Sequence, residues 1–134
     1  MTTAPPDAIP IQSGEDVVRV RQAVRAWAVE LSFSLVDQTK IVTAASELAR
    51  NTVVHGGGGT CELESLQTDS RRGLRLTFVD QGPGIADIEQ ALHDGFTTGN
   101  GLGLGLGGAR RLSNEFDIRS QPGAGTRVQI TRWK

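Results

Sequence analysis

The chain has 134 residues and a mass of 14.3 kDa, the size of a single domain, expected here to span 1–134. Fourteen Lys and Arg against fifteen Asp and Glu give a net charge of -1, which argues against a nucleic-acid-binding surface, and one cysteine excludes an internal disulfide. No apolar run is long enough to span a membrane, and the first ten residues lack a secretory pattern, so the expected compartment is the cytoplasm.

Residues 1–7, MTTAPPD, read as a frayed, disordered start, and Ile9–Gln12 as a short strand. Ser13 followed by Asp16 resembles a capping box. Val17, Val20, Val24, Trp27, Ala28 and Leu31 then recur at helical spacing to about Ser32. Ser34 and Asp37 open a second helix that runs to about His55 and stops at Gly56. Ile41, Ala45, Leu48 and Thr52 form its buried face. The period then changes to two. Cys61, Leu63 and Ser65 alternate, Arg72-Gly73 reads as a turn, and Leu74, Leu76 and Phe78 alternate up to Asp80. Asp87 caps a short helix to His93, and a further helix is expected over about 108–114. Phe116–Ser120 and Thr126–Trp133 flank the turn Pro122-Gly123-Ala124-Gly125 as a second hairpin. This order predicts an α+β fold: a two-layer sandwich of a mixed, mostly antiparallel sheet with helices on one face.

Glycine is abundant, at 17 of 134 residues or about 13%, and it is clustered. Four glycines lie at Gly56–Gly59 and nine between Gly82 and Gly108, interrupting well-patterned segments, so they are expected to shape a site. Three constellations stand out. Glu47, Asn51 and His55 are four apart on one helical stripe. A carboxylate and a carboxamide there offer hard oxygen ligands for Mg²⁺, while the blander reading is a solvated polar stripe. Asp80-Gln81-Gly82-Pro83-Gly84 follows a hydrophobic strand, where an acidic side chain can accept from an exocyclic amine, although Gly-Pro-Gly is also strong turn chemistry. Gly99, Gly101, Gly103, Gly105 and Gly107 alternate mainly with Leu before a helix, which suits bare amides around phosphate or a mobile lid. Gly103-x-Gly105-x-x-Gly108 fits a dinucleotide-binding expression but lacks the preceding strand, and no Gly-Lys-Ser/Thr follows for a P-loop.

In their order, Glu47-x-x-x-Asn51-x-x-x-His55-Gly56, Asp80-x-Gly82-x-Gly84, the Gly99–Gly107 stretch and Gly125-Thr126 resemble the ATP-binding (Bergerat) fold of gyrase, Hsp90, histidine kinases and MutL, the GHKL superfamily. At this length the further domains of the larger members are not expected, and the chain is similar to the small serine/threonine kinases of the anti-sigma-factor type, above all the stressosome switch kinases. The resemblance implies ATP and Mg²⁺ as cofactors. It implies Glu47 as the catalytic base, Asn51 as the Mg²⁺ ligand, Asp80 as acceptor from the adenine amine and Thr126 as its support. Gly82 and Gly84 would make room for the base, and the amides of Gly99, Gly101, Gly103, Gly105 and Gly107 would close over the phosphates. Implied partners are STAS-domain scaffold or antagonist proteins, the regulatory domain of a PP2C-type phosphatase, or a sigma factor, with no nucleic acid and no membrane. The kinase reading stands against a binding module that sequesters a partner with little transfer.

Overall fold

The computed structural model describes residues 2–3, 7–92 and 105–134. Strands β1 (Thr2–Thr3) and β2 (Asp7–Ile11) precede helices α1 (Gly14–Glu30) and α2 (Leu35–Val54). Strands β3 (Gly59–Gln67) and β4 (Arg72–Asp80) form the first hairpin, followed by the short helices α3 (Ile88–Ala91) and α4 (Gly105–Arg111). Strands β5 (Glu115–Ser120) and β6 (Thr126–Trp133) close the chain. The sheet order is β1-β3-β4-β6-β5, and β2 pairs along the other half of the β3 edge. Every pairing among these strands is antiparallel. Helices on one face complete the α+β two-layer fold.

Alternation places Cys61 and Leu63 of β3, Leu74, Leu76 and Phe78 of β4, and Val128 and Ile130 of β6 on one buried face. Against it pack Val20, Val24 and Ala28 of α1 and Ile41, Ala45 and Leu48 of α2, the stripes that helical periodicity predicts. Burying one such Ile or Leu stabilises by about 1.5–3 kcal/mol, so this shared face dominates the fold. Burial also pushes the Cys61 thiol up, which makes it an inert core residue.

Local chemistry explains most element ends. Helix α1 stops without a glycine. Ser32 takes a left-handed φ of 64°, Ser32 N–H bonds to the Val29 carbonyl at 3.0 Å, and Phe33 N–H bonds to the Ala28 carbonyl at 2.9 Å. Those two bonds satisfy helix-end carbonyls, and the Phe33 ring is buried beside them. Ser34 caps α2 as expected, its Oγ accepting from Asp37 N–H at 3.1 Å. The capping box at α1 is not made: the Ser13 side chain caps nothing, and Asp16 Oδ2 accepts instead from Gln12 N–H, one residue before the cap, at 2.8 Å.

Several expected boundaries shift. Thr2–Thr3 pair with Leu66–Gln67, and Asp7 opens β2, so these three residues are strand where a frayed start was expected; the open β3 edge supplies their partners. The first hairpin turns at 68–71, closed by Thr68 N–H to the Arg71 carbonyl at 2.9 Å. Arg72-Gly73 is strand, and Gly73 is needed there because the Trp133 indole occupies the place of its missing side chain, 2.7 Å from an ideal Cβ. Helix α4 spans Gly105–Arg111, so the chain is already helical at Gly105, ahead of the expected start near Gly108. The Asp87 cap is present, Oδ1 accepting from Gln90 N–H at 3.0 Å, while His93 lies outside the described residues.

Arg132 ties the layers together. It lies on β6, donates to Asp37 Oδ1 of α2 at 2.7 Å and donates to the Leu112 carbonyl just after α4 at 2.8 Å. The Arg132 hydrogen bond holds the Asp37 carboxyl below its usual value of 3.8, Ser34 and the Lys40 charge assisting while partial burial opposes. A depressed folded-state pKa contributes stability above the unfolded value, and that contribution is lost as pH falls through the folded one. Asp37→Asn keeps an acceptor for Arg132 but loses its charge, so it is expected to lower stability at neutral pH by about 1–2 kcal/mol, the difference between a charged and a neutral hydrogen bond. Thermal melts across pH should show the gap from wild type closing below about pH 4, where the wild-type carboxyl also takes up its proton.

Candidate nucleotide-binding site

The site starts from the end of α2. Asn51 lies on its last turn, His55 caps it, and His55 N–H bonds back to the Asn51 carbonyl at 2.9 Å. Beside it ends β4, whose last residue is Asp80. The β4–β6 register makes Thr126 the cross-strand partner of Asp80, so both side chains stand on the helix-covered face. Asn51, His55, Asp80, Gly84, Gly105 and Thr126 all line one cleft of about 420 Å³, a volume suited to a small-molecule ligand. Its walls are apolar, with Leu48, Phe78, Ile85 and Val128 among them. Flat apolar walls with acceptors at one end fit an aromatic base carrying an amine.

Missing side chains hold Asp80 in place. A Cβ on Gly56 would overlap the Asp80 carboxyl group, 2.5 Å from its Cβ, so the carboxylate packs directly on backbone at the end of α2. Its Oδ1 accepts from Gly82 N–H at 2.9 Å. This corner also holds the carbonyl end of a long helix, so it favours a ligand that donates. On the other side, Gly84 has φ +78° and lies against the Gln121 carbonyl, while Gly123 N–H bonds to the Pro83 carbonyl at 2.7 Å. The segment after β4 is thus clamped between α2 and the β5–β6 turn.

The expected residues are partly assembled. Asn51, Asp80, Gly84, Gly105 and Thr126 reach the cleft; Gly82 and Gly107 do not line it. The space at Gly82 is taken by the Gly56 backbone, 2.7 Å from an ideal Cβ, and that at Gly84 by Gln121, so at both positions the missing side chain makes room for protein. Gly105 and Gly107 belong to α4, and Gly105 carries φ +51° at its start. Gly99, Gly101 and Gly103 lie outside the described residues. Glu47 is not a solvated stripe residue. It is 4% exposed, one turn before Asn51, and forms an ion pair with Arg50 at 3.2 Å. It does not line the cleft.

Sequence reading missed Ser120. Its Oγ accepts from Ile85 N–H at 2.7 Å and lies 2.8 Å from Thr126 Oγ1. Its signal was available: Ser120 faces inward at the end of β5 and is the register partner of Thr126. Among the described residues no group of three or more His, Cys, Asp or Glu converges as a metal site. A single carboxamide such as Asn51 fits magnesium, which keeps waters and phosphate oxygens as most of its ligands.

A helix-backed antiparallel sheet with Asn at a helix end and Asp opposite Thr at paired strand ends defines an ATPase-type nucleotide-binding domain. The chain belongs to the histidine kinase-, DNA gyrase B-, and HSP90-like ATPase family, whose model matches residues 36–134. It is 46% identical over 118 residues to the serine/threonine-protein kinase RsbT of Bacillus subtilis, covering 88% of this chain and 89% of that protein. It is 30% identical over 117 residues to the anti-sigma F factor of a Thermoanaerobacter species, covering 84% of this chain and 82% of that protein. Within the family it therefore belongs to the serine/threonine-kinase and anti-sigma-factor branch. The structure of the RsbU and RsbW domains of a Mycobacterium tuberculosis protein shares the fold with TM-score 0.68 and 24% identity, over 98% of this chain and 33% of that one. Among the described residues no helix is long and apolar enough to cross a membrane.

The glycine contacts give a test. Gly56→Ala is expected to displace the Asp80 carboxylate and weaken ATP binding by tenfold or more, roughly one charged hydrogen bond. Gly57→Ala, with φ +71° and nothing within 4 Å, should cost about 1–2 kcal/mol of stability and leave affinity unchanged. Calorimetric titration with ATP, paired with thermal melts, separates the two effects.

Proposed function

We propose that this protein is an ATP-dependent serine/threonine kinase that transfers the γ-phosphate to a Ser or Thr of STAS-domain scaffold or antagonist proteins. After transfer it activates a PP2C-type phosphatase through that enzyme's regulatory domain, acting as a switch in a stress-signalling pathway. Kinship with a serine/threonine kinase over most of both chains supports this reading. The observation that carries transfer over mere binding is Glu47. Even with Arg50 beside it, holding a carboxylate this deep carries a desolvation cost, and a nucleotide-dependent binder needs Asn51 and Asp80 but no such group.

Each residue has a distinct role in this proposal. Asp80 accepts from the adenine amine, and Thr126 stands beside it as a second polar contact. Leu48, Phe78 and Val128 exclude water from the faces of the ring. Asn51 offers its carboxamide oxygen to magnesium, and Gly105 gives the phosphate end an approach free of a side chain. When bound, magnesium supplies charge neutralisation along the phosphates. Glu47, one turn from Asn51 and set back from the cleft lining, acts as the base that polarises the attacking hydroxyl, directly or through a water. Such a site works by positioning and electrostatics, because phosphoryl transfer asks little covalent chemistry of the protein.

A second reading has its own support in the kinship with anti-sigma F factors. There the chain sequesters a sigma factor or a phosphatase domain and transfers little phosphate. Incubation of the purified protein with radiolabelled ATP and a STAS-domain protein separates them: labelled partner supports the kinase, whereas a stable complex without label supports the binder.

Two variants test the roles. Asp80→Asn is expected to weaken ATP binding roughly tenfold to hundredfold, because a charge-assisted hydrogen bond is lost and an NH₂ is presented to the amine. Calorimetry giving wild-type affinity would remove Asp80 from adenine recognition. Glu47→Gln keeps the buried volume, so ATP affinity should stay within about threefold while single-turnover transfer drops roughly 10²–10⁴-fold. Wild-type transfer by this variant would place the base elsewhere.

A further inference from the structure

Ser120 stands behind the cleft and ties two of its lining residues, Ile85 and Thr126, to the backbone at Gly125. Its Oγ accepts from Ile85 N–H at 2.7 Å, lies 2.9 Å from the Gly125 carbonyl oxygen and lies 2.8 Å from Thr126 Oγ1. A serine hydroxyl has one proton and two lone pairs. Ile85 N–H fills one lone pair. The Gly125 carbonyl has no proton of its own, so only the Ser120 proton makes that contact attractive. One lone pair of Ser120 is then left, and Thr126 must fill it with its hydroxyl proton. This arrangement satisfies all three contacts; the opposite one leaves two oxygens facing each other at 2.9 Å with no proton between them.

We infer that Ser120 is a positioning residue that determines base specificity: it takes up the Thr126 proton, so Thr126 faces the cleft only as an acceptor. Asp80, opposite Thr126 across β4–β6, is an acceptor as well. The end of the cleft is therefore a wall of two acceptors. An exocyclic NH₂ brings two protons and satisfies both. A carbonyl at the same ring position brings lone pairs and satisfies neither. Without Ser120, the Thr126 hydroxyl is free to turn and donate, and a carbonyl becomes tolerable. A site that leaves polar groups unpaired rejects a ligand far more strongly than one that merely loses contact area. This inference rests on the assignment of the cleft to the adenine of ATP.

The test compares ADP with IDP, which carries a carbonyl in place of the amine, by titration calorimetry in the presence of magnesium. Wild type is expected to prefer ADP. Ser120→Ala should reduce the ADP-to-IDP affinity ratio by roughly threefold to tenfold, one hydrogen bond recovered by IDP. Ser120→Thr keeps a hydroxyl and should keep the ratio. Adding Ser120→Ala to Thr126→Val should change nothing further, since the two act as one unit. Loss of the Ile85 N–H partner will lower the melting temperature, but a merely structural effect moves both affinities together and leaves the ratio intact. Should Ser120→Ala not fold, Thr126→Ser and Thr126→Val decide, the first keeping the wild-type ratio and the second lowering it. A wild-type ratio in folded Ser120→Ala, or in Thr126→Val, overturns the role of Ser120. No ADP preference in wild type overturns the adenine assignment itself.

Discussion

Asp80 packs on the bare backbone of Gly56, and the cleft depends on that contact. It lets the end of β4 meet the end of α2 closely enough for the Asp80 carboxylate and the Asn51 carboxamide to share one opening. Both elements are long and anchored in the core, so neither can shift to admit a side chain. Gly82 repeats the arrangement one step along, its amide turned to Asp80 and its missing side chain replaced by Gly56. Glycine at these positions serves close approach, and the backbone geometry of the loop follows from it.

Around that contact the molecule divides its work by depth. The apolar face shared by β3, β4, β6, α1 and α2 fixes where the strand ends fall. Polar links then attach less regular parts to this frame. Arg132 connects β6 to the start of α2 and to the segment after α4. Ser120 connects β5 to the loop after β4. These links are few and directional, so they orient groups while burial supplies most of the stability. Helix α2 is packed by α1 and the sheet and by α4, and this is why a stripe of polar residues along it need not be solvated.

Much of the fold and part of the site were legible in the chain itself. Val20, Val24 and Ala28, and Ile41, Ala45 and Leu48, announce two amphipathic helices, because a helix with one apolar stripe must bury it. The alternation of Leu74, Leu76 and Phe78 announces a half-buried strand ending at Asp80. Asn51 could be singled out by its four-residue spacing from Glu47 and His55, Asp80 by its place at the end of a patterned strand before Gly82, and Thr126 only through the motif order of the family it resembles. The turn at 68–71 was obscured by Arg72-Gly73, whose glycine answers to Trp133, sixty residues away, and not to a turn.

Local periodicity, capping chemistry and motif order are properties of neighbouring residues, and the sequence determined them by itself: the helices, the hairpins, the layer they build and the ATPase family they belong to. Contacts between residues distant in the chain were decided only by the tertiary structure. Glu47 is buried because other elements cover its helix, which its own spacing does not encode. Asp37 finds Arg132, Gly56 admits Asp80 and Ser120 meets Ile85 because the strand register and the helix packing bring them together. Pairing of that kind depends on where whole elements dock, and a pattern within any one of them carries no record of it.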